Sequence, residues 1–355
     1  MTPRFHPLRI AEVRPETADS VSLRFEVPPA LAAEYAFVQG QHVTLRAQFG
    51  GQEVRRSYSI CSGADDAELR VAIKHVPGGL FSGFANRELH AGDVVDVLTP
   101  EGRFHTPLDP SQTKHYVAFA AGSGITPVLS LIRTTLAREP RSRFTLLYGN
   151  RRQSSAMFHE TLEDLKDRYL RRFVLYLLFS REHQEVALFN GRLDRAKALA
   201  FTEGLLPVET IDEAFICGPG AMIDEVEAAL LERGLTLARI HTERFGVPGR
   251  SAYHRVEEGD AAHATVEVVI DGVRREVEFS AQDRSLLDAA LRAGIELPYS
   301  CKGGMCCTCR ARVLSGKVRM DKNYSLEPRD LDAGFVLTCQ AHPLTERVVV
   351  SFDER

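Results

Sequence analysis

The chain carries no excess of one charge: 44 lysines and arginines stand against 48 aspartates and glutamates, a formal net charge of −4. No block of like charge stands out, so neither nucleic acid nor an anionic membrane is expected as a partner. Long hydrophobic runs are missing too, since none approaches the roughly 18 apolar residues that a spanning helix needs. The opening MTPRFHPLRIAEVRPE has no basic segment followed by an apolar one, so no secretory leader is read there, and the expected location is cytoplasmic. No internal repeat is visible. Cysteine is neither abundant nor even in number, with seven in 355 residues, which argues against a disulfide framework.

What is present is a change of pattern along the chain. At roughly 100 to 200 residues per domain the length fits two or three domains. The first hundred residues alternate apolar and polar side chains in short runs, VSLRFEV from 21, HVTLRA from 42 and ELRVAIK from 68. That period of two predicts antiparallel strands, as in a small barrel, over 1–107. From Lys114 compact apolar runs, HYVAFAA, FTLLYG, RFVLYLLFS and DEAFICG, are separated by helical stretches such as AMFHETLEDLKDRYL. Buried strands alternating with helices predict a parallel-sheet α/β domain over 108–245. Residues 246–262, rich in glycine and charge, are expected to be a linker. In the last segment, 263–355, TVEVVI and VRREVEF flank Asp271-Gly272, a pair suited to the positive φ angles of a type I′ hairpin turn. LLDAALRAG then reads as a short helix ending at Gly294.

Four of the seven cysteines fall between 301 and 309, and a fifth stands at 339. Cys301, Cys306 and Cys309 have the C-x4-C-x2-C spacing of plant-type 2Fe-2S clusters, with Cys339 as the fourth thiolate. Lys302-Gly303-Gly304 adds little side-chain bulk, so backbone N–H groups can approach the sulfurs. A zinc site of four cysteines is the alternative, although zinc ribbons favour two separated C-x2-C knuckles. A Rieske centre is excluded because no histidine lies in the 301–309 loop. Cys307 is assigned no iron by the spacing; it is either a small packed residue or a ligand by exchange.

Arg56-Ser57-Tyr58-Ser59, Gly78-Gly79-Leu80-Phe81-Ser82, Gly122-Ser123-Gly124-Ile125-Thr126-Pro127 and Cys217-Gly218-Pro219-Gly220 occur in that order. In this order and context the chain resembles the ferredoxin-NADP reductase family. The resemblance implies a fold of three domains: an antiparallel flavin-binding β-barrel, a parallel-sheet α/β nicotinamide-binding domain and a C-terminal β-grasp ferredoxin domain. It also implies that Tyr58 stacks on the flavin ring, that Ser59 bonds near its reactive edge, and that Arg56, with Ser57 beside it, pairs with the pyrophosphate of FAD. Gly78, Gly79 and Ser82 would present N–H groups to flavin phosphate. Gly122, Gly124, Thr126 and Pro127 open a helix after a strand, the context that attracts a dinucleotide pyrophosphate. Pro127 breaks the usual G-x-G-x-x-G pattern and favours this family over Rossmann dehydrogenases. Cys217, Gly218 and Pro219, at the end of the last parallel strand, would lie beside the nicotinamide, and Cys217 joins Tyr58 and Ser59 as a catalytic candidate. Ser180 and Arg181, assisted by Arg151, are expected to hold the 2′-phosphate of NADPH, since NAD sites usually place an acidic residue there.

Such parts belong together. A nicotinamide gives two electrons and a 2Fe-2S cluster accepts one, so a flavin must stand between them, while the protein aligns the three groups. The layout resembles oxygenase reductases along nearly the whole chain. YSCKGGMCCTCRARVLSGKVRMDKNY and GFVLTCQAHP look most like the reductase subunits that serve phenylacetyl-CoA epoxidases in phenylacetate catabolism. A di-iron oxygenase component is the acceptor this implies. The alternatives are an NADH-dependent reductase for an aromatic-ring or steroid hydroxylase, and a zinc-stapled binding module without redox chemistry.

Overall fold

The structure, a computed structural model, describes residues 3–246, 257 and 259–354. Most of the linker expected at 246–262, namely 247–256 and 258, lies outside the described residues. Contacts divide the chain into two compact units, one of residues 7–54 and 58–245, the other of 1–6, 55–57 and 246–355.

Two sheets make up most of the first unit, residues 5–6 of β1 and 55–57 of β4 being counted with the other. β1 (Phe5–Thr17), β2 (Ser20–Glu26), β3 (His42–Phe49), β4 (Gln52–Ser59), β5 (Leu69–Lys74) and β6 (Val94–Leu98) form a six-stranded sheet in the order β4-β3-β6-β1-β2-β5, with α1 (Leu80–Arg87) between β5 and β6. The alternation read in the sequence is a burial pattern here. Leu8 and Ile10 are wholly buried with exposed Arg9 between them, and Val43, Leu45, Val95 and Val97 join the same core. Across β3 and β6, Arg46 pairs with Asp96 at 3.0 Å directly opposite it in register, so the polar residues of the pleat meet each other while the apolar ones meet the core.

The second sheet is parallel throughout. β7 (His115–Ala121), α2 (Ile125–Arg138), β8 (Arg143–Asn150), α3 (His159–Arg168), β9 (Phe173–Phe179), α4 (Arg195–Gly204), β10 (Glu213–Gly218), α5 (Gly220–Glu232) and β11 (Ile240–Arg244) alternate along the chain. The strand order is β11-β10-β7-β8-β9. Both faces are covered, which is why the strands read as continuous apolar runs. Tyr116, Ala118 and Ala120 of β7 pack with Val128 and Ile132 of α2 on one face, while Val117 and Phe119 pack with Phe201 of α4 and Val226 of α5 on the other. The structure corrects one sequence expectation. The strand that ends in Cys217-Gly218-Pro219 is not the last: β11 follows it and pairs parallel with β10, Cys217 opposite Glu243. β11 has only five residues and a single buried one, Ile240, because it is an edge strand, and short half-polar edges leave little periodic signal.

The second unit holds a mixed sheet of β12 (His263–Ile270), β13 (Val273–Ser280), β14 (Arg310–Ser315), β16 (Phe335–Leu337) and β18 (Arg347–Ser351), and a two-stranded sheet of β15 (Val318–Met320) and β17 (Ala341–Pro343). β12 runs parallel to β18 and antiparallel to β13. The turn between β12 and β13 has φ of 51° at Asp271 and 72° at Gly272, the signs a type I′ turn requires. Ser285 caps α6 (Leu286–Arg292) by accepting the Asp288 N–H, and Gly294 follows with φ of 77°. Leu286, Leu287, Ala289 and Ala290 pack with Val266, Val268, Val348 and Val350 beside Cys309 and Cys339. Among the described residues no helix is long and apolar enough to cross a membrane.

Two buried histidines of the first unit make its stability depend on acid. Burial holds His42 near a pKa of about 4 against an ordinary 6.5. Burial, then the neighbouring Arg143 charge, lowers His115 to about 4. A lowered folded pKa means that the unfolded chain takes up protons first, so stability is full above about pH 6.5 and is lost as pH falls through about 4. Denaturant midpoints measured across this window should decline toward acid. The decline should be shallower in His42→Gln; identical profiles in both proteins would contradict the assignment.

Candidate functional site

The four clustered thiols come as two pairs. Cys301 lies within hydrogen-bonding contact of Cys306, and Cys309 of Cys339. Cys301 also accepts the backbone N–H groups of Gly303 at 3.3 Å and Met305 at 3.5 Å. Cys339 accepts the Gln340 side-chain amide at 3.6 Å. The electrostatics follow the geometry. Cys301 is pulled down to about 7 by the Cys306 hydrogen bond and the loop N–H groups, and Cys306 is pushed up by the same bond and by burial. Cys339 is likewise lowered through its bond to Cys309, which rises. Donors directed at sulfur favour the thiolate. Two pairs of thiols, two sulfurs for each iron, are a donor set that fits a dinuclear cluster. All seven cysteines are free. Cys307 belongs to neither pair, because its S–H donates to the Ser325 carbonyl at 3.2 Å.

The glycine loop lies between β7 and α2, at the carboxyl edge of the parallel sheet, where open α/β folds bind ligands. Its two glycines serve different needs. Gly122 has φ of 55° with open space where a Cβ would stand. At Gly124 a Cβ would lie 2.1 Å from the Cys217 carbonyl oxygen, so only glycine lets the loop close onto the end of β10. The buried Tyr148 hydroxyl donates to the Gly122 carbonyl at 3.0 Å, and Thr126 Oγ1 donates to the Ser123 carbonyl at 3.0 Å. No side chain caps the start of α2; its first N–H, at Ile125, turns back to the Gly122 and Ser123 carbonyls of the preceding turn. Pro127 stands in the first turn, where a missing N–H costs little.

Beyond Cys217, Gly218 packs tightly on Met222 and Ala121, and Pro219 starts α5. Cys217 is wholly buried; burial, then the Glu243 carboxylate, holds its thiol well above the usual range. It is a neutral group that shapes the site rather than a nucleophile. Ser59, at the end of β4, donates from Oγ to Glu243 Oε2 at 3.1 Å. Glu243 thus joins Ser59 and Cys217. Sequence reasoning missed it because β11 was missed; the only signal was the brief alternation IHTER.

Tyr58 is half-buried, its ring 5.7 Å from that of Phe81 in α1. Arg56 Nη1 donates to the Arg55 carbonyl. Gly78 has φ of 75° and free space at its Cβ position, and no side chain caps α1. Ser82 Oγ accepts the Val76 N–H at 3.1 Å and donates to the Gly79 carbonyl at 3.3 Å; a Cβ on Gly79 would lie 2.5 Å from that oxygen. Ser82 therefore spends its hydroxyl on the turn itself. Beside the turn opens a cavity of about 770 Å³ lined by Phe49, His75, Phe84 and Arg87 among others. After β8 and β9, the Ser180 N–H donates to the Asn150 carbonyl at 3.0 Å and the Arg181 N–H to the Arg151 carbonyl at 2.8 Å. This lacing brings exposed Arg151 and Arg181 to neighbouring loops.

An aromatic strand motif beside an uncapped helix, a glycine loop at the edge of a parallel sheet, and paired thiols in a mixed sheet define a flavin- and nicotinamide-dependent iron–sulfur oxidoreductase. Three family descriptions match in turn: an oxidoreductase FAD-binding domain over residues 7–106, an oxidoreductase NAD-binding domain over 119–228 and a 2Fe-2S iron-sulfur cluster binding domain over 268–344. The chain is 47% identical over 352 residues to one of the subunits of 1,2-phenylacetyl-CoA epoxidase from Escherichia coli K12, covering 99% of this chain and 98% of that protein. It is 36% identical to the ferredoxin reductase component of 3-ketosteroid-9-alpha-monooxygenase from Rhodococcus rhodochrous, over 97% of this chain and 96% of that one. Among solved structures, phthalate dioxygenase reductase superposes with a TM-score of 0.60 at 25% identity, covering 98% of both chains. The chain belongs to the ferredoxin-NADP reductase-like oxidoreductases that carry a C-terminal 2Fe-2S domain, the family in which the Escherichia coli epoxidase protein also falls.

The approach of Gly124 to Cys217 yields a direct test. Gly124→Ala should raise the KM for nicotinamide by about tenfold or more, because overlap with backbone costs more than 1 kcal/mol, and should lower the melting temperature as β10 is displaced. Steady-state kinetics with unchanged KM would show that the loop does not need this contact.

Proposed function

We propose that this chain passes electrons from NADPH through FAD to a 2Fe-2S cluster and on to the oxygenase component of a phenylacetyl-CoA epoxidase, a di-iron protein. The observation that carries the reading is the pair of thiol pairs, Cys301 with Cys306 and Cys309 with Cys339, in a chain matched along its length by oxygenase reductases. When bound, the flavin converts the two electrons of a nicotinamide into single electrons and the cluster gives them an exit.

The residues have separate tasks in this reading. Cys301, Cys306, Cys309 and Cys339 hold the irons, with the Gly303 and Met305 N–H groups donating to sulfur. Arg56 and Ser57 are assigned to the flavin pyrophosphate; the Gly79 N–H closes the turn onto the Val76 carbonyl at 2.8 Å, so after the bend at Gly78 and Gly79 it is the Ser82 N–H, in the first turn of α1, that is offered to flavin phosphate. Tyr58 lays its ring against the flavin, and Ser59, whose hydroxyl proton goes to Glu243, bonds near the reactive edge of the flavin through its oxygen. The cavity beside Gly78 has room for the adenosine half that distinguishes FAD from FMN. Gly122, Gly124, Thr126 and Pro127 receive the nicotinamide pyrophosphate, with Cys217, Gly218 and Pro219 beneath the nicotinamide ring. Ser180, Arg181 and Arg151 face the 2′-phosphate, which favours NADPH over NADH.

The finer architecture belongs to the same proposal: a flavin-binding β-barrel over 1–107, a nicotinamide domain over 108–245, a linker over 246–262 and a β-grasp ferredoxin domain over 263–355. The parallel pairing of the first and last strands of the mixed sheet supports the last of these. Seven free thiols suit a reducing compartment and hence a cytoplasmic location. Service to a steroid hydroxylase is the second reading, favoured by the 36% identity to the 3-ketosteroid-9-alpha-monooxygenase component.

Cys306→Ser should abolish iron binding while NADPH still bleaches the flavin at a rate within about twofold of the parent, because the thiol pairs and the glycine loop are separate constructions. Loss of flavin reduction in a variant with normal fold and flavin content would contradict that division. Arg181→Ala should raise the KM for NADPH by about tenfold or more, the worth of a charge-assisted hydrogen bond, and leave NADH nearly unchanged. Equal effects on the two nucleotides would remove Arg181 from the 2′-phosphate.

A further inference from the structure

The loop 301–309 contains three residues in the left-handed region: Lys302 with φ of 50°, Gly304 with 76° and Cys307 with 56°. For Lys302 and Cys307 this conformation is sterically costly, and it persists only where the surroundings over-determine it. The surroundings that do so at Cys307 and Gly304 are in the segment Asp321-Lys322-Asn323-Tyr324-Ser325. Cys307 donates its S–H to the Ser325 carbonyl at 3.2 Å. The Tyr324 N–H donates to the Gly304 carbonyl at 3.0 Å, and Ser325 Oγ donates to the same carbonyl at 3.3 Å. A Cβ on Gly304 would lie 3.0 Å from the Lys322 carbonyl oxygen, so this segment lies directly on the loop.

The same segment is hooked to the fourth thiol. The Asp321 N–H donates to the Gln340 carbonyl at 3.0 Å, and the Gln340 side-chain amide donates to the Lys302 carbonyl at 3.1 Å and to Cys339 Sγ at 3.6 Å. Asn323 sets the shape of the segment: its Oδ1 accepts the N–H groups of Ser325 at 3.2 Å and Leu326 at 2.8 Å, and its Nδ2 donates to the Leu326 carbonyl at 2.9 Å. The Ser325 carbonyl is thereby fixed where the Cys307 thiol meets it.

We infer that residues 321–325 are a strap that holds the thiol-bearing loop in its ligating shape, and that Cys307 is the positioning residue that fastens loop to strap. This rests on the reading of Cys301, Cys306, Cys309 and Cys339 as cluster ligands. Cys307 stands between two of them, so the peptide planes on either side of it aim Cys306 and the N–H groups that follow. Its role is the S–H donation together with the left-handed turn, which explains why the position holds neither iron nor glycine.

The test uses the full chain, purified without air, with flavin and iron quantified. Cys307→Ala and Cys307→Gly both remove the donor, and glycine also removes the steric cost of positive φ. Cys307→Ser keeps a donor. Release of iron to a chelator in air, and the electron spin resonance g-values of the reduced protein, are compared across the three. Ala and Gly should each release iron about fivefold faster, the worth of one hydrogen bond, with shifted g-values, whereas Ser should stay within about twofold. Asn323→Ala, which leaves the loop's own residues intact, should match Cys307→Ala. Wild-type behaviour in Cys307→Gly would show that only the backbone conformation matters and would overturn the strap; so would unchanged iron release in both Cys307→Ala and Asn323→Ala. A parent protein that takes up no iron after reconstitution would overturn the cluster reading itself, and the strap with it.

Discussion

Buried thiols brought into contact can share protons but cannot all ionise without positive charge among them. The C-terminal sheet builds this situation twice, at Cys301 with Cys306 and at Cys309 with Cys339, and aims backbone N–H groups at one of the sulfurs. The loop that does so needs left-handed residues, and left-handed residues other than glycine need outside support. At Cys307 that support comes from the segment between β15 and α7 (Pro328–Asp332), and at Lys302 from the Gln340 amide, so the ligand loop, the segment over it and Gln340 beside Cys339 form one connected construction.

The other unit solves a different problem, the close approach of two large cofactors. A parallel sheet covered on both faces puts its loops at one edge, and there the backbone of Gly124 touches that of Cys217 with no room for a side chain. Cys217 is opposite Glu243 in register, and Glu243 receives the Ser59 hydroxyl from the end of β4. Residues from three strands of two sheets thus meet within one compact unit. A neutral buried thiol and a hydrogen-bonded hydroxyl are suited to positioning rings rather than attacking them, as hydride transfer between cofactors requires no protein nucleophile.

The three-part layout was legible in the sequence, for reasons that differ from part to part. The thiol spacing is specific because two irons need four sulfurs at set intervals. Asp271-Gly272 was readable because few residue pairs tolerate two positive φ angles, and the apolar runs of β7 to β10 were readable because both faces of their sheet are buried. β11 was not: five residues at an edge bury too little to impose a period, and Glu243 was lost with it. The use of the Ser82 hydroxyl was hidden as well, since a serine in a glycine turn looks the same whether it serves the turn or a phosphate. Cys307 was visible as an anomaly, but its partner Ser325 is 18 residues away and only folding brings the two together.

One polypeptide takes electron pairs in and lets single electrons out. Anaerobic titration with NADPH, followed by visible absorbance and electron spin resonance with iron, sulfide and flavin assayed in the same sample, tests it most directly. One flavin, two irons and two sulfides per chain are expected, with flavin bleaching accompanied by the signal of a reduced 2Fe-2S cluster. Flavin that bleaches in a protein devoid of iron and sulfide, even after reconstitution, would contradict it.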